Sequence, residues 1–150
     1  MINLGLSAFL KSRDGQARKT VIKIPSDVRQ IAKVSSKILE DLARKKVTDS
    51  LVFDIRLCIE EAVRNAIVHG NKSAKALPVR VSYWFKDDTL TIEVEDRGGG
   101  FDRDKIPNPT IGDNILKNSG RGVYLMKNIM DEVTYNEKGN LVRMTKGLAR

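Results

Sequence analysis

The sequence predicts an α+β fold, a two-layer sandwich in which helices cover one face of a mixed, mainly antiparallel sheet. Two segments in the first half place apolar residues at helical spacing. Strand-like runs later in the chain form two pairs, each joined by a short polar turn, which is typical of antiparallel hairpins. The chain has 150 residues, enough for one domain with its own core and too few for two ordinary ones.

The first strand and the first helix are predicted near the N-terminus. Residues Thr20 to Ile24 alternate like a strand, and Pro25 to Asp27 supply a helix cap and first turn. The helix is expected to end near Lys45 and Lys46. Its inward face is predicted to consist of Val28, Ile31, Ser35, Ile38 and Leu42.

A second helix is predicted to open around Thr48 and to run to Gly70, which is well placed as its stop. Most of its positions are apolar, so it should be nearly buried. Glu61, Asn65 and His69 nevertheless recur every four residues and would share one face. Such a polar stripe on a buried helix is a candidate functional surface.

The alternative is that this stripe simply faces water. Arg56, Glu60 and Arg64 show that the helix has solvated positions, and we expect Glu60 and Arg64 to form a surface ion pair four residues apart. The residue pattern of the helix leaves both interpretations open.

A hairpin is predicted from the runs PVRVSYWF and TLTIEVE, which Lys86 to Asp88 join as a turn. The second run ends in Asp96 and three glycines, Gly98 to Gly100. Glycines allow a backbone to approach a ligand closely, and an aspartate at a strand end can accept a hydrogen bond from an exocyclic amine. The alternative is a tight turn after the strand, which would have the same aspartate and glycine residues.

The remainder of the chain is predicted to be a long loop, a helix and a second hairpin. The loop spans Asp102 to Ser119, and the helix begins at Gly120. Glycines at a helix N-terminus expose backbone N–H groups that favour phosphate, although a plain helix cap would look the same. The hairpin consists of VTYN, a turn at Lys138 to Asn140, and LVRMTK.

The net charge of +8 does not point to a nucleic-acid binder, because the excess lies at the chain ends. Residues 1–20 carry +3 and residues 138–150 carry +4, which leaves +1 for the middle of the chain. We therefore expect no direct nucleic-acid partner.

No apolar run approaches the length of a membrane span, and we expect a soluble, cytoplasmic protein. Cys58 is expected to be a buried residue of the core and not a reactive thiol.

Three segments, EEAVRNAIVHG, EDRGGGFD and SGRGVYLMKNIMDEV, resemble the N, G1 and G2 boxes of the GHKL ATPase superfamily. Within it, the sequence is most similar to the bacterial anti-sigma-factor serine/threonine protein kinases, over roughly residues 20 to 147. The resemblance implies a GHKL, or Bergerat-type, ATP-binding domain at residues 20–150 with an N-terminal extension at residues 1–19. It also implies ATP and Mg²⁺ as cofactors.

The same resemblance implies roles for individual residues. Glu61 would be the general base, and Asn65 would coordinate the magnesium that bridges the ATP phosphates. Asp96 would accept the adenine amino group, with Gly98 and Gly100 shaping the floor of the pocket.

The loop from Asp102 to Ser119 would be the ATP lid. Gly120, Arg121 and Gly122 would meet the phosphates, and Thr145 resembles the family's threonine near adenine. His69 is interpreted as a structural residue at the helix end and not as a catalyst.

At the level of function, the resemblance implies an anti-sigma factor that sequesters a sigma factor and phosphorylates a STAS-domain antagonist on serine or threonine. One alternative is a regulator that binds ATP and partners without phosphorylating anything. Another is the ATP-binding module of a histidine kinase acting in trans. The resemblance also makes a homodimer plausible.

Overall fold

The computed structural model describes residues 17–98 and 118–149, and it contains five strands and three α-helices within them. The strands are β1 (Thr20–Pro25), β2 (Pro78–Lys86), β3 (Thr89–Glu95), β4 (Glu132–Tyr135) and β5 (Leu141–Gly147). The helices are α1 (Ile31–Ala43), α2 (Asp49–Asn65) and α3 (Asn118–Ile129).

The five strands form one sheet in the order β1-β2-β3-β5-β4, and every pairing among them is antiparallel. Alternate residues of the central strands are buried with the apolar faces of the helices, so the helices cover one side of the sheet. The predicted α+β sandwich is confirmed. The core includes Ile38, Ile59, Val63, Val81, Ile92 and Met144.

The N-terminal half folds close to prediction, with one error at the start of the first helix. Asp27 caps a short 3₁₀ turn, Val28–Gln30, by accepting a hydrogen bond from the backbone of Arg29 at 3.0 Å. The α-helical geometry begins only at Ile31, so Val28 is 49% exposed and was wrongly assigned to the inward face. A 3₁₀ turn has three residues per turn, which rotates Val28 away from the helical stripe.

The second helix changes geometry before it ends. Thr48 caps it, accepting a hydrogen bond from the backbone N–H of Leu51 at 3.2 Å. After Asn65 the chain makes a π-helical turn, Ala66–Gly70, in which the N–H of Asn71 donates to the carbonyl of Ala66 at 2.8 Å. The four-residue repeat is therefore interrupted before His69, which lies exposed in this turn. Single π-helical turns often occur at functional sites.

The hairpin between β2 and β3 turns through two aspartates. Lys86 pairs with Thr89, and both Asp87 and Asp88 have positive φ angles, 50° and 56°. Two consecutive left-handed residues match the right-handed twist of the flanking strands, and aspartate tolerates this conformation better than most residues. In the described parts of the chain, no helix is both long and apolar enough to cross a membrane.

Candidate nucleotide-binding site

A cleft that is open to solvent lies between α2, α3 and the end of the sheet. Asn65 from α2 and Asp96 from the end of β3 both line it. Its other walls are Ala62, Ala66, Val94, Met126, Tyr135, Gly139, Asn140, Leu141 and Val142. The mostly apolar walls with a few polar groups are typical of a small-molecule site.

Asp96 is the buried polar residue of the cleft, with 5% of its surface exposed. Its Oδ1 accepts a hydrogen bond from the backbone N–H of Gly98 at 2.8 Å. Burial raises the pKa of the Asp96 carboxyl, and the hydrogen bond from Gly98 opposes that shift. A carboxylate held in this way is suited to accept hydrogen bonds from a ligand.

Two glycines make room for this carboxylate. A Cβ at Gly70 would overlap the carboxyl group of Asp96, and a Cβ at Gly98 would overlap the carbonyl oxygen of Gly70. The end of the π-helical turn therefore packs directly on the Asp96 side chain. From the sequence, Gly70 was predicted only as the end of the helix. Its contact with Asp96 makes it a residue of the candidate site as well.

Glu61, one helical turn before Asn65 on α2, lies against the start of α3. A Cβ at Gly122 would overlap the carboxyl group of Glu61, so the two residues are in direct contact. Glu61 Oε2 also lies 3.4 Å from the guanidinium of Arg64, whose side chain is 51% exposed. The N and G2 boxes, far apart in sequence, meet at this contact.

The ion pair predicted between Glu60 and Arg64 is wrong. Arg64 pairs with Glu61, three residues earlier, while Glu60 Oε1 accepts a hydrogen bond from the hydroxyl of Ser35 on α1 at 3.2 Å. Adjacent positions on a helix point about 100° apart, so the two glutamates face different neighbours. Glu61 faces α3 and Glu60 faces α1.

The lining of the cleft fits a magnesium nucleotide. The oxygen of the Asn65 side chain is the type of neutral ligand that Mg²⁺ accepts, with phosphate and water oxygens completing its octahedron. No group of three or more His, Cys, Asp or Glu that could hold a metal occurs in residues 17–98 and 118–149. A magnesium ion held by Asn65 would therefore need the phosphates of its nucleotide as ligands.

Thr145 is a predicted site residue that the structure places away from the cleft. It lies on β5 opposite Thr91, next to Met144, which is fully buried on the helix side of the sheet. Because side chains alternate along a strand, Thr145 belongs to the opposite face. Its assignment near adenine is corrected.

The remaining predicted residues lie at the start of α3 or outside the described chain. Gly120 and Arg121 belong to the first turn of α3, which begins at Asn118, two residues before the predicted start. Gly100 and the lid residues before Asn118 lie outside the described residues.

Two asparagines near Asp96 were not predicted as site residues. Asn71 follows the stop glycine of α2, and Asn140 belongs to the predicted hairpin turn. Asparagine is common in turns for conformational reasons alone, so the sequence offered no signal that either side chain reaches the Asp96 segment.

Comparison with protein families identifies the domain that contains this cleft. The model for the histidine kinase-like ATPase domain matches residues 24–146, which includes α2, β3 and α3. The chain belongs to this family. Membership supports the use of ATP.

Two curated relatives are named serine-protein kinase RsbW. The protein of Bacillus subtilis strain 168 is 29% identical over 136 residues, covering 85% of this chain and 84% of the relative. That of Staphylococcus aureus strain MRSA252 is 28% identical over 134 residues, covering 83% and 84%. The chain is thus similar, over most of its length, to two proteins named as serine-protein kinases.

A solved structure agrees in fold. The crystal structure of the RsbU and RsbW domains of Rv1364c from Mycobacterium tuberculosis aligns with a TM-score of 0.58 and 20% sequence identity. The alignment covers 88% of this chain and 33% of that one, so this chain spans about a third of the neighbour's length.

Proposed function

We propose that this protein is an ATP-dependent serine/threonine protein kinase. The observation that carries the proposal is the contact of Glu61 with Gly122, one helical turn from Asn65, which lines a cleft together with Asp96. Relatives named as serine-protein kinases support the same reaction class.

Glu61 would act as the general base. A carboxylate in hydrogen-bond reach of the attacking serine or threonine hydroxyl accepts its proton as the oxygen attacks the γ-phosphate. When bound, Mg²⁺ neutralises charge on the phosphates and fixes their geometry. Asn65, one helical turn from Glu61, would hold that ion beside the base. Phosphoryl transfer depends mainly on such positioning and charge neutralisation.

Asp96 would select the base of the nucleotide. Its carboxylate would accept a hydrogen bond from the amino group of adenine, whereas guanine presents a carbonyl oxygen at that position and would be repelled. Gly70 and Gly98 support this role, because a Cβ at Gly70 would overlap the Asp96 carboxyl group and a Cβ at Gly98 would overlap the carbonyl oxygen of Gly70.

We also propose the partners that the sequence resemblance implies. The protein would sequester a sigma factor in the cytoplasm and phosphorylate a STAS-domain antagonist on serine or threonine. The resemblance of the sequence to anti-sigma-factor kinases supports this proposal, and the names of the relatives support its kinase part. A homodimer would be consistent with it.

The decisive experiment is incubation of the purified protein with γ-³²P-ATP, Mg²⁺ and candidate STAS-domain proteins. We expect acid-stable phosphate on a serine or threonine of one STAS protein. If calorimetry detects ATP binding and no label is transferred, the protein is a binding-only regulator. If the label is acid-labile and on histidine, the protein acts as a histidine kinase module in trans. Absence of any ATP binding would overturn the proposed function altogether.

The metal role of Asn65 has its own test. We expect Asn65→Ala to weaken ATP binding about 10-fold in the presence of Mg²⁺, because one ligand to the ion is lost. In EDTA the variant and the wild type should bind ATP equally. An equal loss under both conditions would contradict a metal role.

A further inference from the structure

We propose that Asn71 and Asn140 are positioning residues for nucleotide selectivity, which hold the Asp96 segment from two sides. The inference rests on the proposed function, since it assigns Asp96 the reading of the base. Neither asparagine needs to touch the nucleotide for this role.

Asn71 connects the end of the π-helical turn to the residue that follows Asp96. It is 2% exposed, and its Oδ1 accepts a hydrogen bond from the backbone N–H of Arg97 at 2.7 Å. This bond joins two segments 26 residues apart and fixes the peptide immediately after the base-reading residue.

The amide nitrogen of Asn71 anchors the side chain on the opposite side. Its Nδ2 donates to the hydroxyl of Ser26 at 2.8 Å and to the carbonyls of Leu77 and Pro78 at 3.2 and 3.1 Å. Because both ends of the amide are engaged, the side chain cannot rotate without breaking several buried hydrogen bonds. The acceptor for Arg97 is therefore held rigidly.

Asn140 holds the other side of the segment. Its backbone carbonyl accepts a hydrogen bond from the N–H of Asp96 at 2.9 Å, and its side-chain Nδ2 donates to the carbonyl of Asp96 at 3.0 Å. Its Oδ1 in turn accepts from Asn136 Nδ2 at 2.7 Å, which orients the amide. The β4–β5 turn thus holds both backbone polar groups of Asp96.

Together these contacts fix three successive backbone units. Asn140 holds Asp96, Asn71 holds Arg97, and the Asp96 carboxylate itself accepts from Gly98. A loop without these bonds would have to be ordered when the nucleotide binds, which lowers affinity. The loss should fall mainly on the nucleotide whose base the Asp96 carboxylate recognises.

The test compares ATP and GTP affinities by calorimetry for the full chain and its variants. We expect Asn71→Ala and Asn140→Ala each to weaken ATP binding about 10-fold and to change GTP binding less than about 2-fold. Asn128→Ala is the matched control, because Asn128 is exposed on α3 and its side chain donates to the carbonyl of Tyr124 in the same helix. It should leave both affinities unchanged.

A double-mutant comparison with Asp96→Asn distinguishes a positioning role of the two asparagines from a purely structural one. In an Asp96→Asn background, Asn71→Ala or Asn140→Ala should change ATP affinity less than about 2-fold, because both act through the same residue. If Asn71→Ala fails to fold, the partly exposed Asn140 provides the same comparison. Full additivity with Asp96→Asn would overturn the inference.

The outcome for the wild type separates this inference from the proposed function. If the wild-type protein binds no nucleotide, the proposed function fails and this inference with it. If the wild type prefers ATP and both asparagine variants keep that preference, only the inference is overturned.

Discussion

The two carboxylates of the proposed site differ in how firmly they are held. Asp96, at the end that we propose binds the base, is 5% exposed, and hydrogen bonds to Asn140, Asn71 and Gly98 fix its segment. The Glu61 side chain, at the end that we propose binds the phosphates, is 22% exposed, and Arg64 approaches it at 3.4 Å. The proposed base end is therefore held by several hydrogen bonds, whereas the proposed phosphate end leaves its carboxylate partly exposed.

This difference fits the two tasks. A site that is already ordered before binding recognises a base with higher affinity, because no binding free energy is lost in ordering the protein segment. A general base must meet a hydroxyl delivered by a second protein, so it has to stay accessible. If the comparison holds, changes at Asp96 should alter nucleotide selectivity and changes at Glu61 should alter phosphate transfer.

The largest effect is expected for Glu61→Gln. Removing the base should slow phosphate transfer to a STAS protein about 1,000-fold, within the range typical of general-base catalysis, while ATP affinity stays unchanged. Glu60→Gln is the matched control, because Glu60 faces Ser35 on α1. It should transfer phosphate at the wild-type rate. Normal transfer by Glu61→Gln would remove the base assignment.

Asp96→Asn should affect recognition and stability in opposite directions. The preference for ATP over GTP should fall about 100-fold, since a charged hydrogen bond to the base is lost. Thermal unfolding at pH 7 should shift upward by about 3 °C, because the buried charge is removed.

The stability gain of Asp96→Asn should depend on pH. Burial raises the pKa of Asp96, so the folded wild type holds this proton more tightly than the unfolded chain. The wild type therefore loses stability as the pH rises through that pKa. The gain should be larger at pH 7 than at about pH 3, where the aspartate is largely protonated in both the folded and the unfolded chain. A gain that is equal at both pH values would contradict burial as its cause.

Gly122→Ala should separate activity from stability at the phosphate end. The new Cβ would displace the Glu61 carboxylate, a flexible group that can move away, and phosphate transfer should fall about 30-fold. Stability should rise by up to about 1 kcal/mol, because alanine favours helices over glycine. Unchanged transfer, measured with the same STAS substrate, would show that the contact with Glu61 has no role in the reaction.

The smallest effect is expected for Arg64→Ala. An exposed ion pair three residues apart contributes about 0.5 kcal/mol or less, so phosphate transfer should change less than about 2-fold. Arg56→Ala, another exposed arginine on α2, is the control. A loss above 10-fold would mean that Arg64 positions Glu61, and the phosphate end would then be as firmly held as the base end.

Local patterns in the sequence determined the elements and much of the site. Alternation predicted the strands, the helical repeat predicted α1 and α2, and cap residues such as Thr48 predicted helix starts. The three glycine-containing segments and their order predicted the family. These features depend on neighbouring residues, which is why a single sequence can show them.

Tertiary structure decided which side chains meet. The π-helical turn after Asn65 removed His69 from the polar stripe, and strand register put Thr145 on the face away from the cleft. The contact between Glu61 and Gly122, and the hydrogen bonds of Asn71 and Asn140 around Asp96, join residues distant in sequence. Such contacts depend on how helices and hairpins pack against one another, and no local pattern of residues specifies that packing.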